Sequence, residues 1–422
     1  MQEDFLHYVW QFQKVSTQTL LLEEKEPLQV IQVGLHNTEV SGPDFLNATL
    51  LINTIKWVGH VEVHLKSSDW NVHKHQLDPA YNAVILHVVW EHDCTVFRQD
   101  GSKLPTLVLS EWVSKPFLEK YTKWQLRKSS FLLCKPEIHK VDSTLFNAYK
   151  ERLFISRLES KTSQVLQLLE YTKGDWEAVL FMSLASALGA KINTESFLSI
   201  AQSVSFKIVR KIHNKPCHLE ALLLGQAGLL KRPLKDSYQE QLHETYTYLA
   251  GKFSLNQDGV IAPKFFRLRP SSFPTIRLSQ LAEMYKRASF FELLMQANTF
   301  QDICKLFKVP ASTYWHTHYV FGKESTFREK VLTNTRIALL VLNAILPIKM
   351  AYQKEMGKPF FDNILALADT LPPEKNKYLS TFIDSGIKVA NAKESQALIE
   401  LYKHYCLEKK CLQCSIGHQI LK

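Results

Sequence analysis

A short stretch of the chain combines histidines and carboxylates at spacings that suit a metal site. Five histidines lie within 28 residues: His60, His64, His73, His75 and His87. Glu62 stands between the first two of them, and Asp44 lies 18 residues before Glu62. Imidazoles and carboxylates together favour Zn²⁺, Mn²⁺ or Fe²⁺, whereas oxygen ligands alone favour Mg²⁺. These residue types predict a divalent-metal site, and the alternative is a structural network of polar side chains.

The residues around Glu62 alternate as in a β-strand. Apolar Val61, Val63 and Leu65 alternate with polar His60, Glu62, His64 and Lys66. Side chains two residues apart on a strand lie on the same face of the sheet. We therefore expect His60, Glu62 and His64 to share one face. His73 or His75, from the polar segment 67–81, could complete a metal site there.

The apolar pattern predicts the elements that position these residues. An amphipathic helix is expected at 4–14, strands at 28–33, 45–52, 57–66 and 84–90, and a hairpin joining 95–99 to 105–109. From about residue 142, helical periodicity dominates at 143–171, 175–189, 194–211, 218–229, 236–251, 277–307, 325–347 and 389–405. The predicted class is α+β. A mixed-sheet domain over 1–141 is followed by a mostly helical domain over 142–422.

The order helix, strand, strand, strand, short irregular or helical segment, strand places Pro43-Asp44 and Glu62-Val63-His64 on neighbouring strands. This arrangement resembles the PD-(D/E)XK superfamily, the restriction-endonuclease-like nucleases, whose pattern ends in Asp/Glu-x-Lys. The resemblance implies that Asp44 and Glu62 bind Mg²⁺ or Mn²⁺ and that the third residue positions the attacking water. His64 replaces the lysine here, and Lys66 on the same face could restore the lost charge.

A metal-dependent nuclease or phosphodiesterase is the function that this resemblance implies. The hydrolase would use Asp44, Glu62, His64 and Lys66 in catalysis, with His60, His73 and His75 as further ligands or supporting groups. One alternative is a non-catalytic nucleic-acid-binding or scaffold protein that has kept a degenerate nuclease fold. Another is a transition-metal enzyme, using Zn²⁺ for example, that acts on a small molecule.

A second resemblance extends over nearly the whole chain. It is carried by the segments at 42–48, 59–64, 68–75, 81–89, 269–280 and 411–414, which read GPDFLNA, GHVEVH, SDWNVHKH, YNAVILHVV, RPSSFPTIRLSQ and CLQC. In these segments the chain is similar to an uncharacterised bacterial family, a domain of unknown function. That resemblance implies no activity.

The C-terminal cysteines form a second candidate metal site. Four residues there are spaced closely enough in sequence to bind one soft metal ion: Cys406, Cys411, Cys414 and His418. Cys134 or Cys304 could instead supply the fourth ligand of a structural zinc site. The nuclease resemblance adds an iron–sulfur cluster on Cys134 and the three C-terminal cysteines. The alternative is a set of inert, buried thiols.

Basic residues are concentrated in the second part of the chain. Residues 1–142 contain 14 Lys and Arg against 17 Asp and Glu, and residues 143–422 contain 37 against 24. Within the basic segment 264–277, Lys264, Arg267, Arg269 and Arg277 alternate with phenylalanines. These residues could contact nucleic acid through phosphates and stacked bases. A proline-fixed loop that packs its phenylalanines into the core is the alternative.

Several other classes are not indicated. The longest apolar run, 337–347, is shorter than a membrane span and predicts a buried helix. The acidic start lacks the features of a signal peptide, and seven cysteines, an odd number, fit reduced thiols or metal ligands better than a disulfide framework. We therefore expect a cytoplasmic protein without a membrane partner. Phosphate-binding and dinucleotide-binding glycine loops, the nucleophile elbow and the His-Glu-x-x-His motif are missing from the sequence.

Overall fold

The computed structural model describes residues 2–17, 19–38, 41–127, 132–358 and 362–421. The chain forms two compact units, one of Met1–Phe146 with Tyr402–Lys422 and one of Asn147–Leu401. The sequence placed all residues after 141 in the helical part. The last helix instead packs within the first unit, where the Gln419 side chain accepts a hydrogen bond of 3.1 Å from the Asp142 backbone N–H.

A seven-stranded mixed sheet forms the centre of the first unit. Its strands are β1 Thr19–Leu21, β2 Pro27–Gln32, β3 Leu35–His36, β4 Phe45–Ile52, β5 Ile55–Lys66, β6 Val84–Glu91 and β7 Thr106–Val108. The order is β1-β2-β4-β5-β6-β7, with β3 beside β4. Strands up to β5 pair antiparallel, whereas β5, β6 and β7 run parallel. The sheet confirms the predicted α+β class.

Helices cover the sheet of the first unit. They are α1 Glu3–Gln11, α2 Asp69–Val72, α3 Lys115–Leu126 and α17 Ser415–Leu421. Helix α1 buries Phe5, Leu6 and Val9 in a core that also contains Val61 and Val63 of β5. The Phe5 ring stacks on Tyr121 of α3 with ring centroids 4.1 Å apart. The apolar face of β5 therefore lies against this core, and its polar face is turned to the opposite side.

The predicted hairpin at 95–109 forms only in part. Phe97 bridges Lys103 in antiparallel fashion, and the Arg98 backbone N–H donates to the Ser102 carbonyl at 2.9 Å. The chain then leaves the hairpin, and β7 pairs with β6 instead. The apolar residues of β7 are thereby buried against the central sheet.

The second unit is mostly helical. Its helices are α4 Ser143–Tyr171 (which begins in the first unit), α5 Trp176–Gln202, α6 Phe206–Ile212, α7 His218–Gln226, α8 Ser237–Phe253, α9 Pro274–Met284, α10 Phe290–Gln296, α11 Phe300–Phe307, α12 Asn334–Leu340, α13 Leu346–Glu355, α14 Asp362–Asp369, α15 Lys377–Ile383 and α16 Ala392–Leu401. A hairpin of β8 His318–Val320 and β9 Lys323–Glu324 interrupts them. Gly322, at φ +68°, supplies the left-handed backbone of that turn.

The periodic stretch 277–307 is three helices rather than one. Ser289 adopts a left-handed conformation with φ +53° immediately before α10. The Thr299 hydroxyl then accepts the Asp302 backbone N–H at 3.2 Å and caps α11. Hydrophobic periodicity continues across both breaks, because all three helices bury apolar residues in the same unit.

The helical stretch Asn334–Glu355 is long and apolar enough to span a membrane by length and composition. Most of its most apolar window, 72%, is buried inside the structure. Ile337, Leu340 and Val341 are among the buried residues. This is the behaviour of a core helix, so the stretch is weak evidence for a membrane span.

Candidate metal centre

Glu62 and His64 lie on the polar face of β5, yet both are buried, at 5% and 2% exposure. Their neighbours Val61 and Val63 face the apolar core on the other side of the sheet. The segment between β5 and β6 covers the polar face with α2 and two turns of 3₁₀-helix. Burying these polar groups is costly unless they find partners, and the covering segment supplies them.

The covering segment is held in place at two points. The Asp69 carboxylate accepts the Lys66 backbone N–H at 2.9 Å, and buried Trp70 donates its indole N–H to the Phe97 carbonyl at 3.1 Å. Lys74, at φ +63°, then reverses the local backbone between His73 and His75. This left-handed residue lets both imidazoles approach β5. Tyr81 stacks on the His75 ring with centroids 3.8 Å apart.

Three histidine nitrogens converge beside β5, and a Glu62 oxygen lies near two of them. His64 Nε2 lies 3.1 Å from His73 Nδ1 and 3.5 Å from Glu62 Oε1. His75 Nε2 lies 3.3 Å from the same Glu62 oxygen, and the ligand atoms of the three histidines all lie within 4.8 Å of one another. A tetrahedral site with bonds of about 2.0–2.1 Å has edges of about 3.3–3.4 Å. The distances of 3.1, 3.3 and 3.5 Å are close to such edges, so the three histidines are placed to share one metal ion and Glu62 is the candidate fourth ligand.

A further histidine contacts the other ring nitrogen of His64. His87 on β6 is fully buried, and its Nε2 lies 2.9 Å from His64 Nδ1. One of these two nitrogens must carry the shared hydrogen. When His64 Nδ1 donates it, the lone pair of His64 Nε2 is directed at the converging donors. Histidine ligands of metals are commonly oriented in this way by a second hydrogen bond.

Burial favours the neutral forms of His64 and His87. Burial, followed by the charges of His75 and His73, lowers the pKa of His64 to about 4. Burial also lowers the pKa of His87 well below its ordinary value. Burial raises the pKa of Glu62, and the nearby His75 imidazole opposes that rise. Neutral imidazoles keep the lone pairs that a metal ion needs.

The His75 Nε2 atom has no hydrogen-bond partner of good geometry among the described residues, although it lies near Glu62. A buried nitrogen without a hydrogen-bond partner, close to other donor atoms, is what a metal ligand would present. The residues present therefore fit a metal ion, and the donor set of three nitrogens and one carboxylate is one that zinc commonly takes.

Asp44 lies beside Glu62 but makes different contacts. Its backbone N–H donates to Glu62 Oε2 at 3.1 Å, and its carboxylate accepts the Val63 N–H at 2.9 Å. The same carboxylate oxygen is 3.3 Å from Nε2 of His7 on α1. Burial lowers the pKa of His7, but the bond and charge of Asp44 outweigh this and raise it. The Asp44 carboxylate thus favours the protonated form of His7 beside the candidate metal centre.

Two predicted site residues have other partners. His60 Nδ1 accepts the Asn47 backbone N–H at 3.2 Å. Lys66 Nζ lies 3.5 Å from the Glu91 carboxylate at an exposed position. Sequence alternation correctly places both residues on the strand that carries Glu62, but their side chains make these other contacts.

Two residues of the site were not assigned to it from the sequence. His87 lies within the apolar run of β6, and the presence of a single histidine in that run is the one sign of its role in the sequence. His7 belongs to an amphipathic helix, and nothing in its local sequence links it to Asp44.

A family model matches residues 3–377, which include the metal centre and most of the helical unit. The chain belongs to the family described as "Protein of unknown function (DUF2851)". Neither a curated protein nor a solved structure matches it. The family membership confirms the resemblance to a domain of unknown function over residues 3–377, whereas the segment 411–414 lies outside the match. The likeness to the PD-(D/E)XK nucleases stays a prediction.

The C-terminal cysteines lie beyond the DUF2851 match but within the first unit. Cys406 interacts electrostatically with Cys134, Cys414 and Cys411, and Cys134 interacts with Cys414 and Cys411. Of the two upstream candidates it is therefore Cys134 that joins them, while Cys304 belongs to α11 of the other unit. Burial raises the pKa of Cys411 to about 12, so this thiol is protonated at neutral pH when no metal is bound.

The cysteine group is more open than one zinc ion requires. Four sulfurs at about 2.3 Å from zinc would be separated by about 3.8 Å. In the described parts of the chain, three or more donor atoms come within 4.8 Å only at the histidine cluster. His418 directs Nδ1 to the Tyr8 hydroxyl at 3.1 Å and packs edge-on against Phe12. The described residues therefore do not bring Cys406, Cys411, Cys414 and His418 together as the predicted single zinc site.

The predicted nucleic-acid contacts have different environments. Lys264 and Arg267 are exposed, and Arg267 lies over the Phe266 ring at 5.2 Å. Phe265 and Phe273 pack edge-on at 5.2 Å, so part of the segment serves the core. Arg269 is exposed, whereas Arg277 is buried in α9.

Proposed function

We propose that this DUF2851 chain is a metal-dependent phosphodiesterase that acts on nucleic acid, with Glu62, His64, His73 and His75 as the metal ligands. The observation that carries the proposal is the convergence of three histidine nitrogens, with a Glu62 oxygen within 3.5 Å of two of them, close to the second carboxylate of Asp44. Four protein ligands of this kind hold Zn²⁺ or Mn²⁺ more readily than Mg²⁺. The proposed ion therefore differs from the Mg²⁺ of the nuclease pattern.

Hydrolysis needs a deprotonated water and a proton for the leaving group. A bound divalent ion would lower the pKa of water and polarise the phosphoryl oxygen. Asp44 would accept the proton of the attacking water, and protonated His7 would supply the proton that the leaving group needs. Proton transfer from Asp44 to His7 would then restore both residues. The oxygen of water forms the new bond to phosphorus, the ester P–O bond breaks, and His7 gives its proton to the departing alkoxide.

The strand arrangement supports a phosphodiester as substrate. The antiparallel strands β2, β4 and β5, a short helical crossover and the parallel strand β6 follow the order expected of the restriction-endonuclease-like core. Asp44 precedes β4 and Glu62 lies opposite it on β5, where that pattern has its two carboxylates. The basic surplus of residues 143–422 suits a polyanionic substrate.

The test is cleavage of labelled DNA and RNA, single- and double-stranded, by the chelator-stripped full chain after addition of Zn²⁺, Mn²⁺ or Mg²⁺. We expect cleavage with Zn²⁺ or Mn²⁺. Glu62→Gln and His73→Ala should lose at least about 100-fold, because ligand loss exceeds the effect of losing a supporting bond. His139→Ala, which changes an exposed histidine of the same unit, should cleave as the wild type does.

The alternatives give different results. Salt-dependent binding of nucleic acid without cleavage by any ion would support the non-catalytic reading. A tightly held metal together with no response to nucleic acid would support an enzyme for small molecules, which the nitrogen-rich donor set also suits. Cleavage that survives in Glu62→Gln would contradict the proposed site.

A further inference from the structure

A cavity of about 450 Å³ opens in the helical unit near the start of α9. Five cationic residues line it: Arg269, Arg277, Arg328, Lys330 and Arg336. Glu329 is the one acidic residue in its lining. So many like charges around one cavity repel each other, and an anion inside it would relieve the repulsion.

Arg277 is the central feature of this cavity. Its side chain is 93% buried, since the residue is 7% exposed. One terminal nitrogen donates to the Gln280 side-chain oxygen at 2.8 Å and the other lies 3.5 Å from the Ser272 hydroxyl, but Nε has no partner among the described residues. Burial, followed by the charge of Arg336, lowers the pKa of Arg277 to about 9.

The described residues place no carboxylate within ion-pair distance of Arg277 or of Arg336. Burial also lowers the pKa of Arg336. Lys330 is 5% exposed, and its ammonium donates to the backbone carbonyls of His316 and Arg328 at 2.9 and 3.4 Å. Three buried or half-buried cations therefore line one cavity whose single acidic lining residue, Glu329, is exposed. A buried charge without a partner is strongly unfavourable.

We propose that this cavity binds a phosphoryl group. Guanidinium groups present paired N–H donors that match phosphate oxygens. The unpartnered Nε of Arg277 and the hydroxyl of Ser272, which also lines the cavity, supply polar contacts besides the charge. A volume of about 450 Å³ is within the range of small-molecule pockets and accommodates a phosphate with the sugar or base attached to it.

This site belongs to the helical unit and uses none of the proposed metal ligands. The phosphoryl group could come from a free nucleotide or from the 5′ end of a nucleic acid. Both sources present the same dianionic group, so the cavity chemistry is shared. Binding can be measured with chelator present, which keeps it separate from the metal-dependent activity.

The test is isothermal titration of the full chain in EDTA at constant ionic strength. The probes are inorganic phosphate, AMP with adenosine as its control, and a single-stranded oligonucleotide with and without a 5′-phosphate. We expect saturable binding of AMP and not of adenosine. Tighter binding of the 5′-phosphorylated oligonucleotide than of AMP would identify nucleic-acid ends as the source, and the reverse order would identify nucleotides.

Variants of single arginines locate the binding. Arg277→Gln and Arg336→Gln should each weaken phosphate-dependent binding at least about tenfold, because each removes a charged hydrogen-bond donor. Arg267→Gln removes the same charge from an exposed arginine outside the cavity and should bind as the wild type does. If Arg277→Gln does not fold, phosphate-dependent binding by Arg336→Gln tests the proposal instead. Equal weakening by Arg267→Gln, or no saturable binding of any phosphorylated probe, would overturn the proposal.

Discussion

His73→Ala gives the most direct test of the metal centre. His73 is exposed, and its Nδ1 lies 3.1 Å from His64 Nε2. Removing an exposed imidazole should change the free energy of unfolding of the metal-free protein by less than about 0.5 kcal/mol. The same change removes one of the four proposed ligands. The variant therefore separates metal binding from folding.

The expected size of the effect follows from linkage. A ligand present at 100 times its Kd stabilises the folded state by about 2.7 kcal/mol. If loss of His73 raises the Kd for Zn²⁺ about 100-fold, the same concentration contributes only about 0.4 kcal/mol. The difference of about 2.3 kcal/mol corresponds to about 5–9 °C in melting temperature for a unit of this size.

The assay is thermal unfolding of wild type, His73→Ala and His139→Ala, each with EDTA and with a fixed excess of Zn²⁺. Wild type and His139→Ala should gain the same increase in melting temperature, while His73→Ala should lose most of it. Equal zinc-induced increases in all three proteins would refute the assignment of His73 as a ligand. A wild type that Zn²⁺ does not stabilise would refute the centre itself.

Two further predictions concern protonation and the cysteines. Because burial lowers the pKa of His64 from 6.5 to about 4, the unfolded chain binds a proton in that range that the folded chain does not. The free energy of unfolding of the metal-free protein should therefore fall by about 3 kcal/mol as the pH decreases from 6.5 to about 4. Urea unfolding measures this fall, which should be smaller in His64→Gln. An equal fall in the variant would show that His64 does not cause it. The double variant Cys411→Ser/Cys414→Ser should lose iron in elemental analysis of anaerobically purified protein yet keep zinc binding at the histidines. Unchanged iron content would argue for inert thiols.

The sheet could be predicted from the sequence because its strands carry simple patterns. Strand β5 alternates apolar and polar residues, and β6 is an apolar run buried on both faces. These two signals are local, since each depends on a single segment. The stretch 143–171 likewise matches α4, whose periodicity is uninterrupted.

Features that depend on contacts distant in sequence could not be predicted. His7 meets Asp44 because α1 packs on the sheet, and Cys134 meets Cys406 because the C-terminal segment packs within the first unit. Arg277 was chosen from the sequence as a surface contact, yet α9 buries it. Neither the composition nor the residue spacing indicates which face of α9 is buried.

The identity of residue 64 decides what the centre can bind. A lysine at this position would add a positive charge beside Glu62 and offer no lone pair while protonated, so the cation would depend on carboxylates and water. His64 is neutral because burial lowers its pKa to about 4, and its Nε2 lies within 3.5 Å of two other donor atoms. Together with His73 and His75 it changes an oxygen site into a nitrogen-rich one. Such a site discriminates against Mg²⁺, which retains its waters and prefers oxygen. The donor atoms, rather than the order of the strands, should therefore determine which ion the proposed centre binds.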